Sequence, residues 1–538
     1  MPEFTLTVLD TPAIQSYIFE SNRLRENIGA SELVRRATET WPLELLKSSG
    51  RTNVAEPEAT NPEDRLDTTL HIEDGDLDAE VVYIGGGNTV LLFRDKEDAR
   101  KLVNRLSRRL IAFAPGLQLV AAHQQVIWEQ DDLARCLDDA MRRLAQEKAA
   151  VPRSQPQLGL GVTVEGRSTG LVATTTNAAH GKPGPEATFP ISEVTAGKLD
   201  AVQAANQRLH ELMPGDVRRA GFEFPLDFEQ FGRSEGEMSY IAVVHADGNE
   251  MGRLFHEIAQ GARSARAYID QVRTTSTHVN HVGTAALQRL LVDLVGAWDS
   301  QENQIGEVVP LYEQKLPFRP IVFGGDDITF VCDGRLGLSL AARYLELFEE
   351  ESRSVGLDLY ASAGIAVVKA HYPFSRAYEL SQTLTASAKQ LARDEADGDL
   401  SALDWHFAAS GLLGDLSEIR EREYTVHEGK LNLRPLTLLG TGPGSWENFT
   451  GLVETFAHDP QWKGRHNKIM ALREVLRQGQ NATEVFRKTL GHVLPVIDRR
   501  NAAWQETGWV GGVCGYFDAI EALDFYVPLK KEGGDANL

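Results

Sequence analysis

The stretch Phe323-Gly324-Gly325-Asp326-Asp327-Ile328 constrains the fold more than any other, because a glycine pair and an aspartate pair sit between two apolar runs, Pro320-Ile321-Val322-Phe323 and Ile328-Thr329-Phe330-Val331. Apolar runs on both sides of such a break read as strand, tight turn and return strand. Glycine takes turn dihedrals that other residues resist and lets a bulky anion approach the backbone. Two aspartates at the tip offer oxygen ligands to a hard divalent cation. A nucleotide phosphate with its metals fits such a tip, although solvated hairpins also carry Gly and Asp at their turns.

A second signal lies upstream. Tyr240-Ile241-Ala242-Val243-Val244-His245-Ala246 reads as a buried strand, and it ends on Asp247-Gly248-Asn249-Glu250-Met251-Gly252. A polymerase-type palm needs this pairing: one carboxylate from the first strand and one or two from a hairpin converge on two metal ions, which activate a 3′-hydroxyl and stabilise the leaving pyrophosphate. The candidate catalytic and metal-binding residues are therefore Asp247, Asp326 and Asp327, with Gly248, Gly324 and Gly325 keeping the turns open to a nucleotide.

With Ser362-Ala363-Gly364-Ile365-Ala366-Val367, His371-Tyr372-Pro373 and Ala388-Lys389 following in order, the chain resembles the catalytic palm of the large subunit (the CRISPR polymerase) of type III CRISPR effector complexes, relatives of GGDEF-type nucleotidyl cyclases. The resemblance extends to the N-terminal third. Phe4-Thr5-Leu6-Thr7-Val8-Leu9-Asp10 reads as its opening strand, and Val81-Val82-Tyr83-Ile84-Gly85-Gly86-Gly87-Asn88 stands where the Gly-Gly-Asp-Asp turn would be. The aspartate pair is missing there. This hairpin is expected to cradle a nucleotide through backbone amides at Gly86, Gly87 and Asn88, and to bind rather than catalyse.

The resemblance implies an α+β fold of two ferredoxin-like palms plus small helical domains: a non-catalytic palm over 1–176, a mainly helical linker over 177–235, a catalytic palm over 236–430 and a helical domain over 431–538. It also implies two ATP molecules facing each other between the palms, Mg²⁺ or Mn²⁺ on the three aspartates, Lys389 on the triphosphate, and Ser276 and Ser31 reading the nucleobases, although a serine capping a helix is a commoner arrangement. Where relatives often read Asp-Gly-Asp-Asn, this chain reads Asp247-Gly248-Asn249-Glu250, which leaves the role of Asn249 and Glu250 open. Arg253, Arg273 and Arg393 could join Lys389 in a basic pocket around the triphosphate or lie on a solvated surface.

Periodicity fills in the rest. Helices are expected over Glu193 to Leu212, Leu336 to Glu351 and Arg376 to Asp394, and a strand over Leu357 to Val368. From Arg434 onward, apolar residues at helical spacing, among them Leu452, Phe456, Leu472, Val485 and Val493, predict a small helical domain. Gly181-Lys182-Pro183-Gly184-Pro185 reads as a loop, and the polar Gly50 to Asp76 segment as a bulge from the first palm.

Many members of the family begin with a nuclease domain of histidines and aspartates. The only His-Asp dipeptide here is His458-Asp459, read as a helix-end or loop pair, so no such nuclease is expected. Cys136, Cys332 and Cys514 are too far apart for a Cys-x-x-Cys pair, which argues against a zinc ribbon or a disulfide framework. No signal segment or run of eighteen apolar residues is apparent, so a cytoplasmic protein without a membrane span is expected.

The net charge of −22, from 77 acidic and 55 basic residues, departs from a protein that grips RNA alone. Partner subunits carrying crRNA and target RNA would supply that grip; alternatively the chain is a stand-alone defence cyclase making a cyclic dinucleotide, or a nucleotide-binding scaffold without turnover. The isolated chain is expected to bind generic single-stranded RNA more weakly than about 1 µM at physiological salt. Fluorescence anisotropy checks this, and tighter, steeply salt-dependent binding would reveal a concentrated basic groove.

Overall fold

The computed structural model describes residues 2–59, 61–85, 87–150, 160–180, 188–231, 239–306, 308–408, 414–491 and 493–529. Gly86 and the Gly181–Pro185 loop lie outside the described residues. The chain divides into two compact units: Met1–Arg218 with Glu250–Thr284 and Ile321–Asp326, and Arg219–Asn249 with Ala285–Pro320 and Asp327–Leu538.

The first unit is built on a four-stranded sheet of β1 (Glu3–Asp10), β2 (Ala79–Gly85), β3 (Asn88–Phe93) and β4 (Val120–Ile127), in the order β2-β3-β1-β4. Phe4, Leu6 and Val8 alternate onto one face of β1 and enter a core with Val82, Val90, Leu92 and Trp128. Helix α1 (Lys96–Phe113) buries Leu102, Leu106 and Leu110, whereas α2 (Leu133–Ala150) buries Leu137, Ala140 and Leu144. The polar Gly50–Asp76 segment is tied down rather than looped out. Asn53 exchanges both side-chain hydrogen bonds with the Val81 backbone, and Arg65 pairs with Glu39 at 2.9 Å.

The second unit contains most of a six-stranded sheet of β5 (Tyr240–Gly248), β6 (Phe318–Gly324), β7 (Asp327–Asp333), β8 (Ala361–Lys369), β9 (Ala402–Ala408) and β10 (Leu436–Thr437), ordered β6-β7-β5-β8-β9-β10. Strands β5 and β8 are apolar almost throughout because both faces are covered. The long helix α3 (Ala265–Gly296) precedes the hairpin of β6 and β7; α4 (Gly337–Ser354) and α5 (Phe374–Ala396) flank β8 in sequence. The first four strands of each sheet thus repeat one order. The expected helices and the strand over Leu357 to Val368 are present within a few residues, with Glu193 to Leu212 split into Glu193–Asp200 and Val202–Leu212.

The C-terminal region carries helices α6 (Trp446–His458), α7 (His466–Leu476) and α8 (Gln480–Leu490), with Leu452, Phe456 and Leu472 buried. Val485 and Val493 are exposed instead, and a small sheet of Thr425–Val426, Gly429–Lys430, Val513–Cys514 and Trp509–Val510 joins the helices. Its two-residue strands are too short for alternation to announce them. His458 and Asp459 close α6. The three cysteines are buried free thiols, and burial pushes Cys514 up to about 12. Among the described residues no helix is long and apolar enough to cross a membrane.

His406, on β9, is 2% exposed, and its Nδ1 has no hydrogen-bond partner. Burial, reinforced by the Arg434 and Arg420 guanidinium groups, lowers its pKa to about 3. The unfolded chain takes up this proton near pH 6.5 and the folded chain does not, so the stability is complete above 6.5 and falls as the pH drops toward 3. The slope is at most about 1.4 kcal/mol per pH unit for the one proton. His406→Phe is expected to flatten this limb of the unfolding free energy between pH 6.5 and 5, read by urea titration at each pH.

Candidate active site

Antiparallel register places the acidic residues. Ile328 faces Ala246 across β7 and β5, so the next position along the same register sets Asp327 opposite Asp247. Both side chains leave the apolar sheet only at its tip. On the other side of β5, Ser362 of β8 pairs with Asp247. Three adjacent strands are therefore locked around one acidic position.

Lys389 reaches this tip from α5. Its Nζ donates to Asp247 Oδ2 at 2.6 Å and to the Gly248 carbonyl at 2.7 Å. The small residues of the Ser362-Ala363-Gly364 run make that possible. A Cβ on Gly364 would stand 2.0 Å from the Ser381 carbonyl oxygen of α5, so only glycine lets the helix lie this close to the strand. Thr385 then ties the helix to β5 by donating to the His245 carbonyl at 2.9 Å.

His245 is the functional candidate that the sequence reading missed. It lies two residues before Asp247, and the period of a strand puts both on one face, which was a usable signal. Its Nδ1 lies 3.1 Å from Thr329 Oγ1 and 3.3 Å from Asp327 Oδ1. Burial alone would favour the neutral imidazole, but the Asp327 carboxylate outweighs it, with Asp247 adding, and the pKa lies above its ordinary value.

Asn249 resolves one open question. Its amide donates to the Leu400 carbonyl at 2.8 Å, its Oδ1 accepts from Ser362 Oγ at 3.0 Å, and its backbone N–H donates to the Tyr360 carbonyl. A side chain that must donate and accept at once suits an amide, and a carboxylate could not make both bonds. Glu250 follows with φ 50° as the residue capping the helix Met251–Gly261.

The turn itself needs its glycines. Gly324 and Gly325 have φ of 148° and 65°. Across from them, a Cβ on Gly283 of α3 would stand 2.1 Å from the Gly325 carbonyl oxygen. A lone glycine in a helix gives no such message in sequence, although it often marks close packing.

The first palm places its candidates differently. Asn88 opens β3 and pairs with Asp10, Gly87 has φ 80°, and a Cβ on Gly85 would meet Ser276 Oγ at 3.1 Å. Ser276 lines a cleft with Glu39, Arg65, Tyr83 and Asn280. Ser31 is buried inside the helix Leu24–Arg35, and neither serine caps a helix. Arg273 also lines the Ser276 cleft; it is 6% exposed and its guanidinium is bonded to Glu80 and to the Val81 and Val82 carbonyls.

Among the described residues no group of three or more His, Cys, Asp or Glu side chains is arranged to hold a metal ion. Asp247 and Asp327 nonetheless stand opposite each other at the strand tip, and all-oxygen chemistry suits Mg²⁺ or Mn²⁺. The residues present fit such a cation.

Residues 240–396 match the family described as Cas10/Cmr2, second palm domain. No curated protein matches the chain. Among solved structures the chain is similar to Csm1 of T. onnurineus, with 14% identity over 97% of this chain and 69% of that one at a TM-score of 0.51. It is also similar to Csm1–Csm4 cassettes in complex with AMPPNP, at 15% identity and TM-score 0.52, and with pppApApA, at 14% and 0.52; each alignment covers 97% of this chain and 70% of the other. At such identities the likeness establishes the fold.

Gly283→Ala is expected to shift the turn, because overpacking of this kind costs about 1–3 kcal/mol and the backbone oxygen must move. Nucleotide turnover should fall at least about tenfold, since small displacements of reacting groups cost rate steeply. Unfolding and turnover assays on the variant check both, and unchanged turnover would show that the turn tolerates displacement.

Proposed function

We propose that this chain, whose residues 240–396 form a second palm domain of the Cas10/Cmr2 family, is a metal-dependent nucleotidyltransferase that converts ATP into cyclic oligonucleotides as part of a type III CRISPR effector. The observation that carries the reading is the cross-strand placement of Asp247 and Asp327, with Lys389 bonded to Asp247 and His245 beside Asp327.

Asp247 and Asp327, with Asp326 beside it in the chain, would hold Mg²⁺ or Mn²⁺, which supplies the charge that acidifies a ribose 3′-hydroxyl. Lys389 brings a positive charge to the strand tip, where it offsets phosphate charge. Gly324 and Gly325 keep side chains away from the approaching phosphates. His245, itself beside Thr329, holds Asp327 in place. The 3′-oxygen attacks the α-phosphorus of a second nucleotide, a P–O bond forms, and pyrophosphate leaves. Gly87 and Asn88 of the first palm bind nucleotide, and Ser276 and Ser31 contribute to base recognition.

The solved cassettes in complex with AMPPNP, pppApApA and cA4 support ATP as the substrate and adenylate products, and their Csm4 chain supports a partner subunit. The charge of −22 favours a second reading, a stand-alone cyclase independent of guide RNA. Incubating the purified chain with labelled ATP or GTP and Mn²⁺, with and without partner subunits and target RNA, separates the two by the product mass. Asp326→Ala with Asp327→Ala is expected to abolish turnover, and metal-free thermal stability should stay nearly unchanged above the His245 pKa, where relief of like-charge repulsion is not offset by loss of the His245–Asp327 pair. Full activity in this double variant would overturn the catalytic assignment.

A further inference from the structure

The two sheets repeat more than their strand order. In the second palm, Asp247 is the last residue but one of the first strand, Asp327 opens the return strand opposite it, and Lys389 of the helix following the fourth strand pairs with Asp247. In the first palm, Asp10 ends β1, Asn88 opens β3 directly opposite it, and Lys148 of α2, the helix following β4, pairs with Asp10. Sequence inspection finds no aspartate pair in the first hairpin, and the fold shows which members of the set remain.

What remains is chemically incomplete in the same place. Asn88 Oδ1, at the register position equivalent to that of Asp327, is a buried acceptor without a hydrogen-bond partner. Thr11, next to Asp10 and 2% exposed, also has an unpartnered Oγ1. Leaving buried polar oxygens unpaired costs free energy unless another group satisfies them. The Asp10 carboxylate is 7% exposed and has one cation beside it, Lys148. One carboxylate and one amide oxygen suit a hard cation that takes its other ligands from phosphate and water.

We propose that Asp10 and Asn88 hold a divalent cation on the phosphates of a nucleoside triphosphate in the first palm, with Lys148 neutralising those phosphates. This rests on the reading that the chain handles nucleoside triphosphates with a cation, and it departs from a first palm that works through backbone amides alone. One carboxylate instead of two or three leaves the site able to bind nucleotide and too weakly charged to activate a hydroxyl.

The test counts bound Mn²⁺ by electron paramagnetic resonance, with α,β-methylene-ATP as the unreactive nucleotide. In Asp247→Ala/Asp326→Ala/Asp327→Ala protein, one nucleotide-dependent Mn²⁺ per chain is expected to remain. Adding Asn88→Leu should weaken it by about tenfold or more, whereas adding Asn88→Asp should tighten it by a similar factor, since a carboxylate replaces a neutral oxygen. The tightening variant guards against loss of binding through misfolding. Absence of nucleotide-dependent Mn²⁺ in the triple variant, or an affinity indifferent to both Asn88 changes, overturns the proposal. Product analysis of the unaltered chain judges the proposed function separately: turnover without the first-palm Mn²⁺ sinks this inference alone, and first-palm Mn²⁺ without turnover sinks only the catalytic reading.

Discussion

The antiparallel pairing of Tyr240–Gly248 with neighbours on both sides is the constraint from which the candidate active site follows. Every residue of this strand from Ile241 to Val244 is buried, so the strand can carry charge only where it leaves the sheet. A slip of one residue would turn Asp247 to the other face and Ala246 to the tip. The register is held by apolar packing far from the chemistry, and the carboxylates inherit their positions from it. His245 is the exception, a polar residue inside the strand, and it is tolerated because Thr329 and Asp327 both lie within reach of its ring.

A carboxylate at the sheet end is paired in each palm with a lysine brought in on a helix, Asp10 with Lys148 and Asp247 with Lys389. In the second palm that helix lies close because Gly364 has no side chain, and the lysine is therefore a consequence of packing as much as of charge. Two palms of the same strand order thus present different charge at equivalent positions.

Much of the chain's acidity is spent in fixing the frame. Glu80 is fully buried and bonds Arg266 and Arg273, while Arg266 also reaches Glu73. Glu32 loses solvent on burial, but Arg35, Arg208 and Arg36 more than compensate and bring it down to about 2. Such pairs add specificity of arrangement more surely than stability. They also mean that Arg273, for which the sequence left a triphosphate pocket or a solvated surface open, is buried and paired with Glu80.

By itself, the sequence determined the palm architecture, the strands that carry Asp10 and Asp247 at their tips, the turn at Gly324 and Gly325, and the helix bearing Lys389, because alternation, helical spacing and turn chemistry are local properties written into consecutive residues. Only the tertiary structure decided that Asn249 is a structural clamp, that His245 stands under Asp327, that Gly283 must lack a side chain, and that Lys148 pairs with Asp10. Those relations join residues 113, 84 or 138 positions apart in the cases of Asn249 with Ser362, His245 with Thr329, and Asp10 with Lys148. The pairing depends on how strands and helices stack in space, and neither periodicity nor turn chemistry carries that information along the chain.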